Sequence, residues 1–267
     1  MIPLLVALCV LLAAGVGVLL FMYLRERSNR RHRPLVGDWP IPTVSPAELD
    51  PAFTAGPFGP GIAAEVAFIG RGPFSVEGGT TDAEAWILAT LAKRARQLFE
   101  FGTCTGKTAY LWARNAPPDA VVTTITLAPD ERGEYRKESG DDATDTDVAL
   151  RESEFNAFLY SDTDVAPKVQ QLYGDSKELD VRPWAGTCDL VFVDGSHAYS
   201  YVVSDSAKAF ELVRPGGLVL WHDYAGPRHS PGVYRHLNEL AARLPLVRIA
   251  GTKLVAWRRP PAPLAQS

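Results

Sequence analysis

CDLVFVDGSHAYSYVVSDSAKAFELVRPGGLVLWHDY, residues 188–224, holds two strands and the helix between them. The apolar run Cys188–Val193 ends in Asp194-Gly-Ser-His197, and helical spacing follows from about Tyr199 to Val213. Arg214-Pro-Gly-Gly217 turns the chain into a second apolar run, Leu218–Trp221, which ends in His222-Asp223-Tyr224. A strand, a helix and a second strand at this spacing make a parallel unit. The same grammar extends outward. Upstream, Thr81–Arg96 opens with a Thr/Asp cap and an early Glu. The run Gln97–Phe101 then breaks at GTCTG and restarts as a helix over Lys107–Asn115. Strand-like runs follow at Val121–Leu127 and Lys168–Tyr173. Downstream lie a helix at Val233–Arg243 and two short strands, LVRIA and KLVAW, about Gly251-Thr252. These elements predict an α/β fold, a doubly wound, mostly parallel sheet, with the closing hairpin adding one antiparallel edge strand. Ligands of such sheets bind beyond the carboxyl ends of the strands, where this chain concentrates its Gly, Asp and His residues.

Composition narrows the function. The chain has 267 residues, with 27 Lys plus Arg against 31 Asp plus Glu. Five of the arginines sit in RERSNRRHR, residues 25–33; the remainder carries 22 basic and 30 acidic residues. A body that acidic is a poor partner for a phosphate backbone, so no nucleic acid is expected. Three cysteines, Cys9, Cys104 and Cys188, are too few and too scattered for a disulfide scaffold or a zinc site.

Ile2–Leu24 runs 23 residues without a charge. As a helix it would reach roughly 34 Å at about 1.5 Å per residue, enough for a hydrocarbon core of about 30 Å. No basic residue precedes it and no small-x-small site follows it, which argues against a cleaved signal. The Arg cluster on its C-terminal side predicts a single span with the remaining chain cytoplasmic. The domain expectation is a transmembrane helix over 1–24, a basic then Pro/Gly-rich linker over 25–61, the α/β domain over 62–259 and a tail over 260–267.

The turn Glu100-Phe-Gly-Thr-Cys-Thr-Gly106 joins a strand to a helix, where a ligand can approach the backbone near the helix N-terminus. It fails a dinucleotide fingerprint, because Cys104 and Lys107 replace two of the glycines. Gly106-Lys107-Thr108 matches the end of a P-loop, but Phe101 stands at its first glycine. The pattern E-x-G-x-G-x-G is met at Glu100, Gly102 and Gly106 and broken at Cys104.

The later segments separate these readings. FEFGTCTGKT (99–108), YGDS (173–176), DLVFVDGSHAYSYVVSDSAKAF (189–210), RPGGLVLWHDY (214–224) and PGVYRHLNEL (231–240) resemble the class I S-adenosylmethionine-dependent methyltransferases. Within them, the chain is most similar to the small-molecule O-methyltransferase-like group with a VDGSH motif. The resemblance spans about Thr81 to Trp257, and PGG followed by HDY is what a P-loop enzyme lacks. It implies a Rossmann-like fold with S-adenosylmethionine as cofactor. Glu100, Gly102 and Gly106, with Thr103 in the same turn, would hold the methionine part, Asp175 would lie near the adenine, and Thr126 and Asp194 at the strand ends would also contact the cofactor. The family's usual ribose-binding acid at the end of the second strand is replaced by Thr126, with Asp130 and Glu131 the next acids along.

Methyl transfer needs alignment of donor and acceptor and deprotonation of a hydroxyl acceptor. Asp194 and Asp223 end strands expected to be neighbours, and two hard oxygen ligands suit Mg²⁺. Asp194, His197 and His222 are the candidate catalytic residues, the two imidazoles as bases. The charged segment Asp130–Glu154 reads as a solvated insertion, or alternatively as a lid over the acceptor. The expected function is membrane-anchored methylation of a small or lipid-linked hydroxyl compound; the alternative is an anchored binding module with a degenerate, non-catalytic form of the fold.

Overall fold

The computed structural model describes residues 12–25, 39–57, 59–66 and 80–262. It forms two compact units, Met1–Trp39 and Pro40–Ser267. In the first, residues 12–25 are helical (α1), with large apolar side chains such as Leu12, Val16, Leu19 and Phe21 exposed. Among the described residues no helix is long and apolar enough to cross a membrane. The expected span begins at Ile2, so its first ten residues lie outside the described ones.

The second unit contains β1 (Thr43–Val44), α2 (Pro46–Leu49), β2 (Ala55–Gly56) and β3 (Gly59–Pro60). There follow α3 (Asp82–Ala92), β4 (Gln97–Phe101), α4 (Lys107–Asn115), β5 (Val121–Thr126), α5 (Ala143–Glu152) and β6 (Val169–Tyr173). The chain closes with β7 (Cys188–Val193), α6 (Tyr199–Leu212), β8 (Val213–Trp221), α7 (Pro231–Ala241), β9 (Val247–Ile249) and β10 (Val255–Arg258). Eight strands form one sheet in the order β1-β9-β10-β8-β7-β4-β5-β6. Strands β8, β7, β4, β5 and β6 run parallel; only β10 runs against both of its neighbours, β8 and β9.

The strand residues sort by alternation into two cores. Leu98, Val122, Leu190, Phe192, Leu218 and Leu220 face a cluster with Leu88 of α3 and Trp112 of α4. Their neighbours along the strands face α6, where Trp221 Nε1 donates to Ser206 Oγ at 2.9 Å and Trp221 packs edge-on against Phe210. Both faces are covered, which is why β4 and β7 read as nearly unbroken apolar runs.

Two expectations are corrected. The antiparallel strand is not at the edge: β10 sits beside β8, and β9 lies outside it with β1 paired in parallel to β9. Part of the stretch read as a spacer belongs to the domain, since Thr43–Val44 joins the sheet and Ile41 and Phe53 are buried. Prolines in this stretch sit where they are harmless, at the first positions of α2 and of the 3₁₀ turn Pro51–Phe53.

Candidate active site

The turn after β4 sets the floor of a cleft. Gly102 has φ +95° and Cys104 has φ +45°; Gly106, at φ +76°, is the N-cap of α4. At Gly102 a Cβ would stand 2.2 Å from the Asp194 carbonyl oxygen, so only glycine lets the ends of β4 and β7 meet this closely. The cleft lies beyond the carboxyl ends of β4, β5, β6 and β7 and is lined by Gly102, Cys104, Thr126, Asp175 and Asp194 among others.

Of the residues expected to bind cofactor, Gly102, Thr126, Asp175 and Asp194 line this cleft, and Glu100, Thr103 and Gly106 do not. Glu100 is buried behind the turn, where Thr124 Oγ1 donates to its carboxyl at 2.7 Å. Burial, which outweighs that hydrogen bond, pushes it up to about 8. Thr103 continues the same chain: its hydroxyl lies 2.8 Å from that of Thr124 and accepts from Gln171 Nε2 at 3.1 Å. Gly106 is pressed against Phe158 and Tyr160. These three residues shape the turn from behind. Lys107 donates to the Thr80 carbonyl at 2.9 Å, an anchoring unlike that of a phosphate-binding lysine.

Asp175 accepts from Tyr201 Oη at 2.9 Å and from the Lys177 amide at 2.9 Å. Beside it, Asp205 of α6 is buried, its Oδ1 has no hydrogen-bond partner, and burial pushes its carboxyl up to about 7. A buried polar oxygen without a partner in the wall of a cleft fits a cofactor that brings hydrogen-bond donors. The insertion also forms a wall. Tyr135 stacks on Tyr201 at 4.5 Å and lies 2.7 Å, Oη to Oγ, from Ser196. Asp141 accepts from the Ser200 amide and hydroxyl at 2.9 and 2.7 Å. Tyr135 and Glu152 line the cleft, whereas Asp130 and Glu131 do not. The expectation of a solvated insertion is replaced by a docked one.

At one end of the cleft, carboxylates and cations interlock. His222 Nδ1 lies 3.0 Å from Asp194 Oδ1 and 3.2 Å from Asp223 Oδ2, and its Nε2 lies 3.3 Å from Glu84 Oε2. His197 Nε2 lies 3.0 Å from Asp223 Oδ2, and Lys253 Nζ donates to Asp223 Oδ1 at 2.7 Å. Burial opposes charge on His222, yet Asp194 and Asp223 hold it well above its ordinary value. Burial likewise works against His197, but Asp223 brings it to about 9. Burial would raise Asp223, but His222 and His197 hold it well below the usual carboxylate range. Burial prevails at Asp194, which is raised.

This corrects the assignment of bases. His222 is buried with both ring nitrogens facing carboxylates, and His197 is already paired, so neither imidazole is poised to take a proton. Asp194 is the one candidate catalytic residue that lines the cleft. Glu84 and Lys253 are the site residues the sequence did not disclose. Glu84 reads as the far half of a capping box, which it is, since its Oε2 accepts from the Thr81 amide at 2.8 Å; it also faces His222. Lys253 carries no motif at all.

The donor set does not fit Mg²⁺. Ligand atoms of Asp194, His197 and Asp223 do converge within 4.8 Å of one another. However, both Asp223 oxygens already face cations, one of the three groups offers nitrogen, and the Tyr224 hydroxyl is turned to Asn238. Magnesium demands near-octahedral oxygen coordination.

The His197–Asp223 pair gives a pH prediction. A folded-state value near 9, above the ordinary 6.5, means that the pair stabilises fully below pH 6.5 and is lost as pH rises through about 9. Urea titrations at pH 6.5 and 9 should show His197→Gln losing less stability over that interval than the parent protein, by up to about 3 kcal/mol.

Residues 99–224 match a family described as "Methyltransferase domain". An uncharacterized protein of Acanthamoeba polyphaga mimivirus is 35% identical over 54 residues, 20% of this chain and 24% of that protein. The chain thus spans about a quarter of that curated relative. Among solved structures, the O-methyltransferase TomG of Streptomyces achromogenes, in complex with SAM, is 23% identical at a TM-score of 0.46, covering 68% of this chain and 82% of that one. An O-methyltransferase of Bacillus cereus in complex with SAH is 14% identical at a TM-score of 0.47, covering 69% and 84%. The glycine turn and most of the cleft beyond the strand ends fall within residues 99–224, the stretch that matches the family described as "Methyltransferase domain".

Proposed function

We propose that this chain methylates a hydroxyl group of a small or lipid-linked acceptor, with S-adenosylmethionine as donor. The observation that carries the reading is Asp194, which lines the cleft and joins it to the carboxylate–imidazole cluster. When bound, the cofactor supplies a methyl group on a sulfonium. The protein's task is alignment and removal of one proton. Asp194 takes the proton of the acceptor hydroxyl and so frees that oxygen to accept the methyl group the cofactor would supply. A carboxyl raised by burial is a better base than an ordinary one, and His222, held between Asp194, Asp223 and Glu84, fixes its orientation. Gly102, Thr126, Asp175 and Asp205 hold the cofactor side, and Tyr135 and Glu152 close the cleft from the insertion.

The N-terminal segment places the enzyme at a membrane, in this reading by one span with the methyltransferase domain cytoplasmic. The uncharged run Ile2–Leu24, the exposed apolar side chains of α1 and the arginines after it support that placement. Calorimetric titration of S-adenosylmethionine and S-adenosylhomocysteine into the detergent-solubilised chain is expected to give Kd values on the order of micromolar, about −8 kcal/mol. Absence of binding by folded protein would overturn the reading.

A further inference from the structure

We infer that Lys253 is a built-in cation of the active site, standing in the acidic pocket where a divalent metal would otherwise bridge Asp194 and Asp223. The inference rests on the methyltransferase reading for its catalytic meaning, though the arrangement itself is independent of it.

The pocket contains three carboxylates, Glu84, Asp194 and Asp223, and three basic groups, His197, His222 and Lys253. Each acid faces at least one base, and Asp223, at the centre, faces all three bases. The Lys253 ammonium lies 2.7 Å from Asp223 Oδ1, the oxygen that neither imidazole meets. A metal shared by Asp194 and Asp223 would have to displace that ammonium or lie beside it, cation against cation.

Lys253 is also not a swinging surface lysine. Its amide donates to Glu84 Oε1 at 2.8 Å, and its carbonyl accepts from the Tyr224 amide at 3.0 Å. The turn that carries it is closed by Thr252, whose hydroxyl donates to the Ile249 carbonyl at 2.9 Å and accepts from the Leu254 amide at 3.0 Å. The backbone of Lys253 is therefore tied to α3 on one side and to the HDY strand end on the other. Its ammonium keeps Asp223 charged, and charged Asp223 holds the two imidazoles. Lys253 is a positioning residue; it acts on the acceptor only through Asp223, His222 and Asp194.

Manganese titration followed by electron paramagnetic resonance tests this without knowledge of the acceptor. The full chain is expected to bind no Mn²⁺ below about 1 mM, as is Lys253→Arg, which keeps the charge. Lys253→Met, and Lys253→Gln as a second variant, should bind Mn²⁺ at least about tenfold more tightly, and the gain should vanish when Asp223→Asn is added. Micromolar Mn²⁺ binding by the parent chain that is lost in Asp223→Asn would overturn the inference. So would folded Lys253→Met and Lys253→Gln that gain no Mn²⁺ binding. S-adenosylmethionine binding measured on the same samples separates this outcome from failure of the methyltransferase reading.

Discussion

Gly102→Ala is expected to destabilise the protein by about 3–5 kcal/mol and to abolish cofactor binding. At φ +95° any side chain is strained, and here the strain is joined by collision. The added methyl would lie 2.2 Å from the Asp194 carbonyl oxygen, 2.6 Å from its carbonyl carbon and 2.6 Å from the Gly195 Cα. All three are backbone atoms, so no rotamer change relieves the contact. The strand ends are held together there by Asp194 N–H donating to the Phe101 carbonyl and Gly102 N–H donating to the Ile125 carbonyl, both at 2.9 Å. Separating β4 from β7 to admit a methyl breaks that ladder and moves Asp194, the residue proposed as the base. Two other glycines calibrate the argument. At Gly106, φ +76°, the atoms nearest the methyl would be a Tyr160 ring carbon at 2.8 Å and the Phe158 Cβ at 2.9 Å, side-chain rather than backbone-ladder atoms. At Gly174, φ +136°, nothing lies within 4 Å, so Gly174→Ala isolates the conformational strain. Urea denaturation should rank the losses Gly102 above Gly106 and Gly174. A loss at Gly102 below about 1 kcal/mol would contradict this account of the turn.

The parallel core was legible because its central strands β4, β7 and β8 are buried on both faces and therefore nearly all apolar, as in Leu98-Phe99 and Leu218-Trp221. The glycine turn was legible because positive φ requires particular residues. What the sequence hid was distance. Glu84 and Lys253 stand 169 positions apart, and only the folded sheet brings the Lys253 amide to the Glu84 carboxylate. A capping glutamate and a hairpin lysine are the commonest of surface residues, so nothing local marks either as part of an active site. The imidazoles were misread for a related reason. An isolated His titrates near neutrality, but its protonation in a folded protein is decided by neighbours, and two strand-end aspartates beside His222 leave it charged. β1 was hidden by the prolines on either side of it, Pro42 and Pro46. Two residues of strand have no periodicity to detect, and their place in the sheet is fixed by burial of Ile41 and Phe53 on either side.

Asp223→Asn should be the most costly single change in the charged cluster. Asp223 is itself at φ +53°, a left-handed conformation that asparagine tolerates as well as aspartate does, so the substitution leaves backbone strain nearly constant and removes only the charge. Three cationic groups then lose a shared partner: Lys253 at 2.7 Å, His197 at 3.0 Å and His222 at 3.2 Å. Breaking a buried ion pair from one side costs about 3–5 kcal/mol, because the remaining charge stays desolvated. Here the imidazoles can release protons, so the cost depends on pH. His197 is held near 9 chiefly against burial by Asp223; without it the ring becomes neutral at lower pH, and the penalty falls once it has. The loss in Asp223→Asn is therefore expected near 4 kcal/mol at about pH 6, where both rings are still driven to be charged, and smaller at about pH 9. The sign is the discriminating feature. Were Asp223 held mainly by hydrogen bonds that asparagine can replace, the loss would be small at both values; were it a metal ligand, the loss would track added divalent cation and not pH. Denaturation of the parent and variant proteins at the two pH values, each with and without Mn²⁺, distinguishes the three.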